Sequence, residues 1–291
     1  MELIGVAEQK GEGAMCEGEP QYAGRTRVRL DQDRPSGARM SDYFLGGQTN
    51  YVIDRIAADE VIRVFPAIRW VARVNQAFLV RSVRFLAHER GIRQFLEIGT
   101  GIPTAEHLHE AVMREFPEVH VAYVDSDPVV LRYGEIALGG SALGRTAYVE
   151  ADVSDPRALL DAVKRAHHLD FSRPMGVSLN GLLPFLPDDQ DPYGIVGTLA
   201  GLLPPGSFLT LSHWTRDFDP TAWAAVAEVY AEAGTPVQVR SRREVLRFFE
   251  GMRLVDPGLV IAHRWRPEPA SGPSLISDAQ ASLYAAVAQI A

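Results

Sequence analysis

Four short polar segments recur through the middle of this 291-residue chain, each directly after an apolar run. The first is E-I-G-T-G-I-P-T, Glu97 to Thr104. Gly99 and Gly101 lack a Cβ, so the backbone can turn sharply there and approach a ligand, with Thr100 between them. A dinucleotide fingerprint would place a third glycine where Thr104 stands, and Pro103 removes an amide that a pyrophosphate would use at the next helix start. Glu97, just before the glycines, favours a cationic amino group over a phosphate. The second segment is Y-V-D-S-D-P, Tyr123 to Pro128. Asp125 could accept hydrogen bonds from both hydroxyls of a ribose, at roughly 1.5–3 kcal/mol each. Ser126 lies beside it, and Asp127 suits the cap of a helix opening at Pro128. The third is E-A-D-V, Glu150 to Val153, where Asp152 could accept from an exocyclic purine amine and Val153 could offer a backbone amide. The fourth, Ser178 to Pro184, sets Asn180 beside Gly181. Each alone could be an ordinary turn or cap. Their order on four consecutive strand ends points to one site.

The elements that must position these residues alternate. Strands are expected at Gln94–Ile98, Val119–Val124, Ala147–Val149, Pro174–Leu179 and Ser207–Ser212. Helices are expected at Ala105–Phe116, Pro128–Leu138, Arg157–His167, Asp191–Leu203, Thr221–Ala233 and Ser241–Phe249. Such alternation implies a parallel sheet with helices on both faces. In such sheets ligands bind beyond the carboxyl ends of the strands, where strand order reverses. Leu254–Arg266 and Leu283–Ile290 read as two closing strands without a clear helix between them, hence an antiparallel edge. Gly139-Gly140 and residues 267–274 read as loops. Upstream, residues 38–90 have a helical pattern. The Gly46-Gly47 pair interrupts the first helix, and Pro66 precedes another, Ala67–Arg90, whose apolar face is Val71, Val74, Phe78, Val83 and Leu86. Residues 1–34 show little periodicity and read as a disordered or loosely attached arm. The organisation expected is therefore an arm (1–34) and one domain (35–291), made of a helical cap (35–90) and an α/β core (91–291).

Bulk properties narrow the function classes. The formal net charge of -8 argues against nonspecific binding to nucleic acid or an anionic membrane. Cys16 is the only cysteine, so a disulfide within the chain and a cysteine-rich zinc site are both ruled out. No metal is expected, and a reducing cytoplasm fits. Neither a signal peptide nor an apolar run of eighteen residues is present, so no membrane span is expected.

From Ala38 to about His213 the chain resembles an actinobacterial family of S-adenosylmethionine-dependent methyltransferases, long catalogued as a domain of unknown function. The segments that carry the likeness are A-R-M-S-D-Y-F-L-G-G-Q-T-N-Y (Ala38–Tyr51), R-V-N-Q-A-F-L-V-R (Arg73–Arg81), F-L-E-I-G-T-G-I-P-T (Phe95–Thr104), Y-V-D-S-D-P-V-V (Tyr123–Val130), P-D-D (Pro187–Asp189) and P-P-G-S-F-L-T-L-S-H (Pro204–His213). V-D-P-G-L-V (Val255–Val260) and W-R-P (Trp265–Pro267) extend it weakly. Family members usually carry Asp where Glu97 stands and commonly Leu where Ile102 stands. The resemblance implies a class I Rossmann-like methyltransferase fold: a seven-stranded, mostly parallel sheet with an antiparallel edge strand and an N-terminal helical cap. It also implies S-adenosylmethionine held at the strand ends, but no acceptor. A phosphate-free cofactor agrees with Pro103 and Thr104.

The cap offers Tyr43, Gly46, Gly47, Asn50, Arg73, Asn75 and Arg81. Gly46 could mark a close approach to the cofactor, Arg73 could grip a methionine carboxylate, and Tyr43 or Asn50 could shape an acceptor pocket. His213, at the end of the fifth strand, and His109 are the candidate general bases. The reading is a transferase acting on a small-molecule acceptor. The alternatives are a sensor that binds S-adenosylmethionine without turnover and, against the Thr104 evidence, a nicotinamide oxidoreductase.

Overall fold

The computed structural model describes residues 33–103, 107–138, 145–166, 168–267 and 276–291. All but two residues of the expected arm lie outside this set, as do Thr104, the Gly139-Gly140 loop and nearly all of the expected loop at 267–274.

Three helices form the cap: α1 (Gly37–Leu45), α2 (Val52–Val64) and α3 (Ile68–Glu89). Gly46 ends α1 in the left-handed region at φ +88°, its N–H turned back to the carbonyls of Asp42 and Tyr43. Pro66 separates α2 from α3, as the sequence suggests. The cap is organised around Asp54, whose carboxylate is fully buried. It accepts from Ser36 N (2.9 Å), Tyr51 N (2.8 Å) and Arg39 Nε (2.7 Å). One side chain thereby starts α2, closes the loop before it and anchors α1.

The core then alternates β1 (Gln94–Ile98), α4 (Leu108–Met113), β2 (His120–Asp125), α5 (Pro128–Leu138), β3 (Thr146–Glu150), α6 (Pro156–Arg165), β4 (Gly176–Asn180), α7 (Pro192–Leu202) and β5 (Phe208–Trp214). After these come α8 (Pro220–Glu232), α9 (Arg242–Arg247), β6 (Arg253–Leu254), β7 (Val260–Ile261), α10 (Asp278–Ala281) and β8 (Leu283–Gln289). The sheet runs β3-β2-β1-β4-β5-β8-β6, with β7 also on β8. Strands β1 to β5 are mutually parallel and β8 is antiparallel. Strand order reverses between β1 and β4, which is where a doubly wound sheet opens a crevice.

The tail departs from expectation. Leu254–Arg266 is not one strand. Asp256-Pro257-Gly258 turns the chain, with Gly258 at φ +79°, leaving two-residue strands on either side and a tight helical turn at Ala262–Arg264. The antiparallel strand β8 is flanked by β5 on one side and by β6 and β7 on the other, so the sheet has eight strands rather than seven. The four-residue α10 precedes β8 where no helix was expected.

Helix α3 binds this tail to the cap. Arg81 donates to the carbonyls of Ala262 (2.7 Å) and Trp265 (3.0 Å). The fully buried Trp265 ring meets Phe78 and Phe85 edge-on at 5.4 and 5.6 Å.

Removing the Asp54 carboxylate breaks a buried ion pair with Arg39, whose side chain is 3% exposed. Asp54→Ala is expected to lower the unfolding free energy by about 3–5 kcal/mol, the usual cost of breaking a buried ion pair by removing one partner. Urea denaturation of the variant beside the parent chain measures this.

Candidate functional site

β1 delivers Glu97 and then the glycine turn. Gly99 sits at φ +71°, and a Cβ there would fall 2.6 Å from the Leu182 side chain. Gly101, at φ +65°, has nothing within 4 Å of where its Cβ would lie. The first glycine is fixed by packing and the second faces open space. β2 ends one strand over at Asp125, which takes Gly101 N–H on one carboxylate oxygen (3.1 Å) and Asp127 N–H on the other (2.9 Å). Asp127 in turn caps α5 by accepting from Val129 N (2.8 Å). Each Asp125 oxygen keeps a lone pair for a further donor, since an ionised carboxylate has about four acceptor sites.

These residues border a cavity of about 310 Å³ at the switch point. Glu97, Gly99, Thr100, Gly101, Asp125, Ser126 and Asn180 all line it, as the sequence led us to expect. Glu97 is buried and accepts no hydrogen bond from any described residue. Burial, reinforced by the nearby Asp125 charge, pushes its pKa up to about 8. Burial also raises Asp125, against the lowering effect of its backbone donors. Asn180 donates to Thr210 Oγ1 (3.3 Å) and leaves its own buried carbonyl oxygen unpartnered.

The far wall is α3. Ile68, Val71, Ala72, Asn75, Gln76 and Leu79 face the cavity, three and four residues apart, as one stripe of a helix must be. Asn75 crosses to β5, where Ser212 Oγ donates to its Oδ1. Its amide lies where a Gly181 side chain would have to go. The sequence signal for this wall is the pair of polar residues, Asn75 and Gln76, set within an apolar helical stripe.

Other expected residues stand elsewhere. Arg73 is exposed, with its guanidinium over the Trp70 ring at 5.2 Å, one step out of phase with the cavity stripe. Gly46 serves as the α1 cap. Tyr43 donates to Asp59 (3.0 Å) and Asn50 to Asp42 (2.6 Å), so both are spent on the cap and neither lines the cavity. Asp152 and Val153 are also outside the cavity lining. Asp152 accepts from Ser154 N (2.8 Å), but the preceding Ala151 N–H bonds to the Asp125 carbonyl, which keeps this turn beside β2.

His213 is no general base. It is fully buried on the face of β5 opposite Ser212. Its ring lies between the Trp214 carbonyl (2.7 Å from Nδ1) and the Arg240 guanidinium (2.8 Å from Nε2). Arg240 can only donate, so Nε2 accepts and the ring is neutral. Burial and that cation push its pKa down to about 3. His109 meets the Tyr123 hydroxyl at 2.7 Å behind the glycine turn and also does not line the cavity.

Comparison with known proteins follows the same lines. The family model described as S-adenosyl methyltransferase matches residues 23–291. A DUF574-family protein from Streptomyces avermitilis MA-4680 is 41% identical in its crystal structure. That match covers 90% of this chain and 100% of the other, with a TM-score of 0.85. A candidate methyltransferase from Thermobifida fusca YX is 35% identical, covering 90% and 97%, with a TM-score of 0.82. A Mycolicibacterium paratuberculosis protein, named as a candidate S-adenosyl-L-methionine-dependent methyltransferase, is 28% identical over 192 residues. That stretch is 63% of this chain and 58% of that relative's length.

Glu97 makes stability depend on pH. The folded chain holds its proton up to about pH 8, whereas the unfolded carboxyl releases it near 4.5. Stability therefore falls as pH rises between those values, by about 5 kcal/mol. Glu97→Gln should remove most of that decline in denaturation midpoints taken from pH 4.5 to 8.5. An equal slope in both proteins would contradict the buried position of the carboxyl.

Proposed function

The chain belongs to the S-adenosyl methyltransferase family, and we propose that it methylates a small-molecule acceptor using S-adenosylmethionine held in the cavity at the sheet's switch point. The observation that carries this reading is the Glu97 carboxyl, buried without a partner beside the open face of Gly101. A cation placed there would restore the charge that burial suppresses. Pro103, which has no N–H to offer a phosphate, fits the same ligand.

When bound, S-adenosylmethionine supplies a methyl carbon activated by its sulfonium. Glu97 takes the ammonium group of the methionine part. Asp125 accepts from the ribose hydroxyls with its remaining lone pairs while holding Gly101 and α5 in place. Asp152 and Val153 lie outside the cavity lining, in the turn that Ala151 N–H ties to the Asp125 carbonyl, and would meet only a purine that extends past that lining. Asn180 borders the cavity at the end of β4, beside Gly181. The α3 stripe forms one wall of the site. Orienting two reactants in this way supplies roughly 7–11 kcal/mol relative to a dilute encounter.

A small acceptor matches a cavity of this volume roofed by the cap, and the charge of -8 disfavours nucleic acid. No helix among the described residues is long and apolar enough to cross a membrane. A cytoplasmic location and one functional domain over residues 35–291 belong to the same proposal. One observation favours the sensor reading as second choice. The ionisable residues among the described cavity lining are Glu97, Asp125, Asp127 and Tyr230, and none is poised as a general base. Methyl transfer from labelled S-adenosylmethionine to any small acceptor separates the two.

Asp125→Ala removes two charge-assisted bonds and the tie on the glycine turn. It is expected to weaken S-adenosylmethionine at least about a hundredfold by isothermal titration. Undiminished affinity in a folded variant would remove the basis for this assignment. For the parent chain, binding of this cation below pH 8 should release a proton from Glu97. Titration heats should then vary with the ionisation enthalpy of the buffer, and those of Glu97→Gln should not.

A further inference from the structure

The cavity changes character from one side to the other. Asp125 and Glu97 stand at the ends of β2 and β1. Three inter-strand steps from β2 and two from β1, about 14 and about 10 Å across the sheet, β5 ends at Trp214. Phe185, in the tight turn after β4, and Tyr230, from α8, join Trp214 in lining the cavity. The three rings form one wall. Phe185 meets Trp214 at 5.4 Å and 65° and Tyr230 at 5.8 Å and 76°, and Trp214 meets Tyr230 at 5.7 Å. Gly37, at the start of α1, closes over them; a Cβ there would lie 2.7 Å from the Phe185 ring.

Two donors in this wall are unspent. The Tyr230 hydroxyl has no hydrogen-bond partner among the described residues although the residue is 1% exposed. Burial raises its pKa, so it stays O–H. The Trp214 indole N–H likewise has no described partner. The carboxylates of the lining belong to the β1–β2 side, and the lining residues beside the rings are apolar or uncharged.

We propose that this corner is the acceptor subsite and that it takes a flat aromatic molecule whose oxygen or ring nitrogen accepts a hydrogen bond from Tyr230. The proposal rests on the methyltransferase reading and adds the acceptor class. Rings at these angles offer faces and edges to another ring. An ammonium acceptor would bring only donors to a wall that already has two, and it would be drawn to Glu97 and Asp125. With no side-chain base beside the rings, the nucleophile must carry a free lone pair near neutral pH, as an acidic phenol or a pyridine-type nitrogen does. The phenol has given its proton to water before reaction. Its oxygen lone pair forms the bond to the methyl carbon, the carbon–sulfur pair stays on sulfur, and the products are an aryl methyl ether and S-adenosylhomocysteine. A ring nitrogen reacts in the same way and ends as the N-methyl cation.

The test is binding of 4-nitrophenol, quinoline and cyclohexanol to the full chain saturated with S-adenosylhomocysteine. Both aromatic probes are expected to bind at least about tenfold more tightly than cyclohexanol. Tyr230→Phe, which keeps the ring, should weaken 4-nitrophenol about tenfold, and Phe185→Leu should weaken both aromatics. Neither variant should change S-adenosylhomocysteine affinity, which also reports that they fold. Equal binding of cyclohexanol, indifference to both variants, or displacement of the aromatics by tetramethylammonium overturns the acceptor class while leaving the methyltransferase reading intact. Failure of S-adenosylhomocysteine to bind the parent chain overturns that reading and this one with it.

Discussion

The site depends on one carboxylate reaching across a strand boundary. Asp125 ends β2, yet its two oxygens hold the amides of Gly101, from the turn after β1, and Asp127, at the start of α5. Strand pairing brings the ends of β1 and β2 together, but it does not fix the turns beyond them. Asp125 does, and so sets the floor on which a nucleoside would rest. The glycines answer the same constraint. Gly99 has no room for a side chain, and Gly101 leaves its room to a ligand. Glu97, one step back in β1, is left in a buried position where its charge is costly until a cation arrives. This tension at Glu97 suits a carboxyl kept for binding rather than for structure.

The cap is a second construction on the same plan. Asp54 gathers Ser36, Arg39 and Tyr51, and α3 extends from the cavity wall at its first turns to the tail at its last. Its inner stripe faces the ligand, while Arg81, Phe78 and Phe85 seize the segment before α10 and β8. The residues most similar in type to binding groups, Arg73 and Tyr43, lie on its outer side or on α1, where they meet other side chains.

The strand ends were legible because the chemistry there is local: an acid and the glycine turn fall within Glu97–Gly101, and an acid and the next helix start within Asp125–Pro128. Asp127 could be read as the α5 cap for the same reason, but the two backbone amides that Asp125 holds could not. Phase decided the failures. Arg73 is one residue off the α3 stripe, and His213 is one residue off the ligand face of β5, which Ser212 and Trp214 share. No sequence period shows which face of a fully buried strand looks toward a cavity. Phe185, Trp214 and Tyr230 read as ordinary core residues, and only the tertiary fold unites them. The tail misled because the apolar run at 254–266 hides the Asp-Pro-Gly turn that divides it.

The Asp54 cluster bears on how such a pocket can diversify. Ser36 and Gly37 border the cavity, yet Ser36 is bound to the carboxylate that starts α2, and Gly37 has no clearance from Phe185. Changing the roof therefore disturbs the framework of the cap. Tyr230 and Phe185 enter from α8 and from a short turn outside that framework. New selectivity is more readily carved from this opposite wall, where a change in shape does not also unlatch the lid.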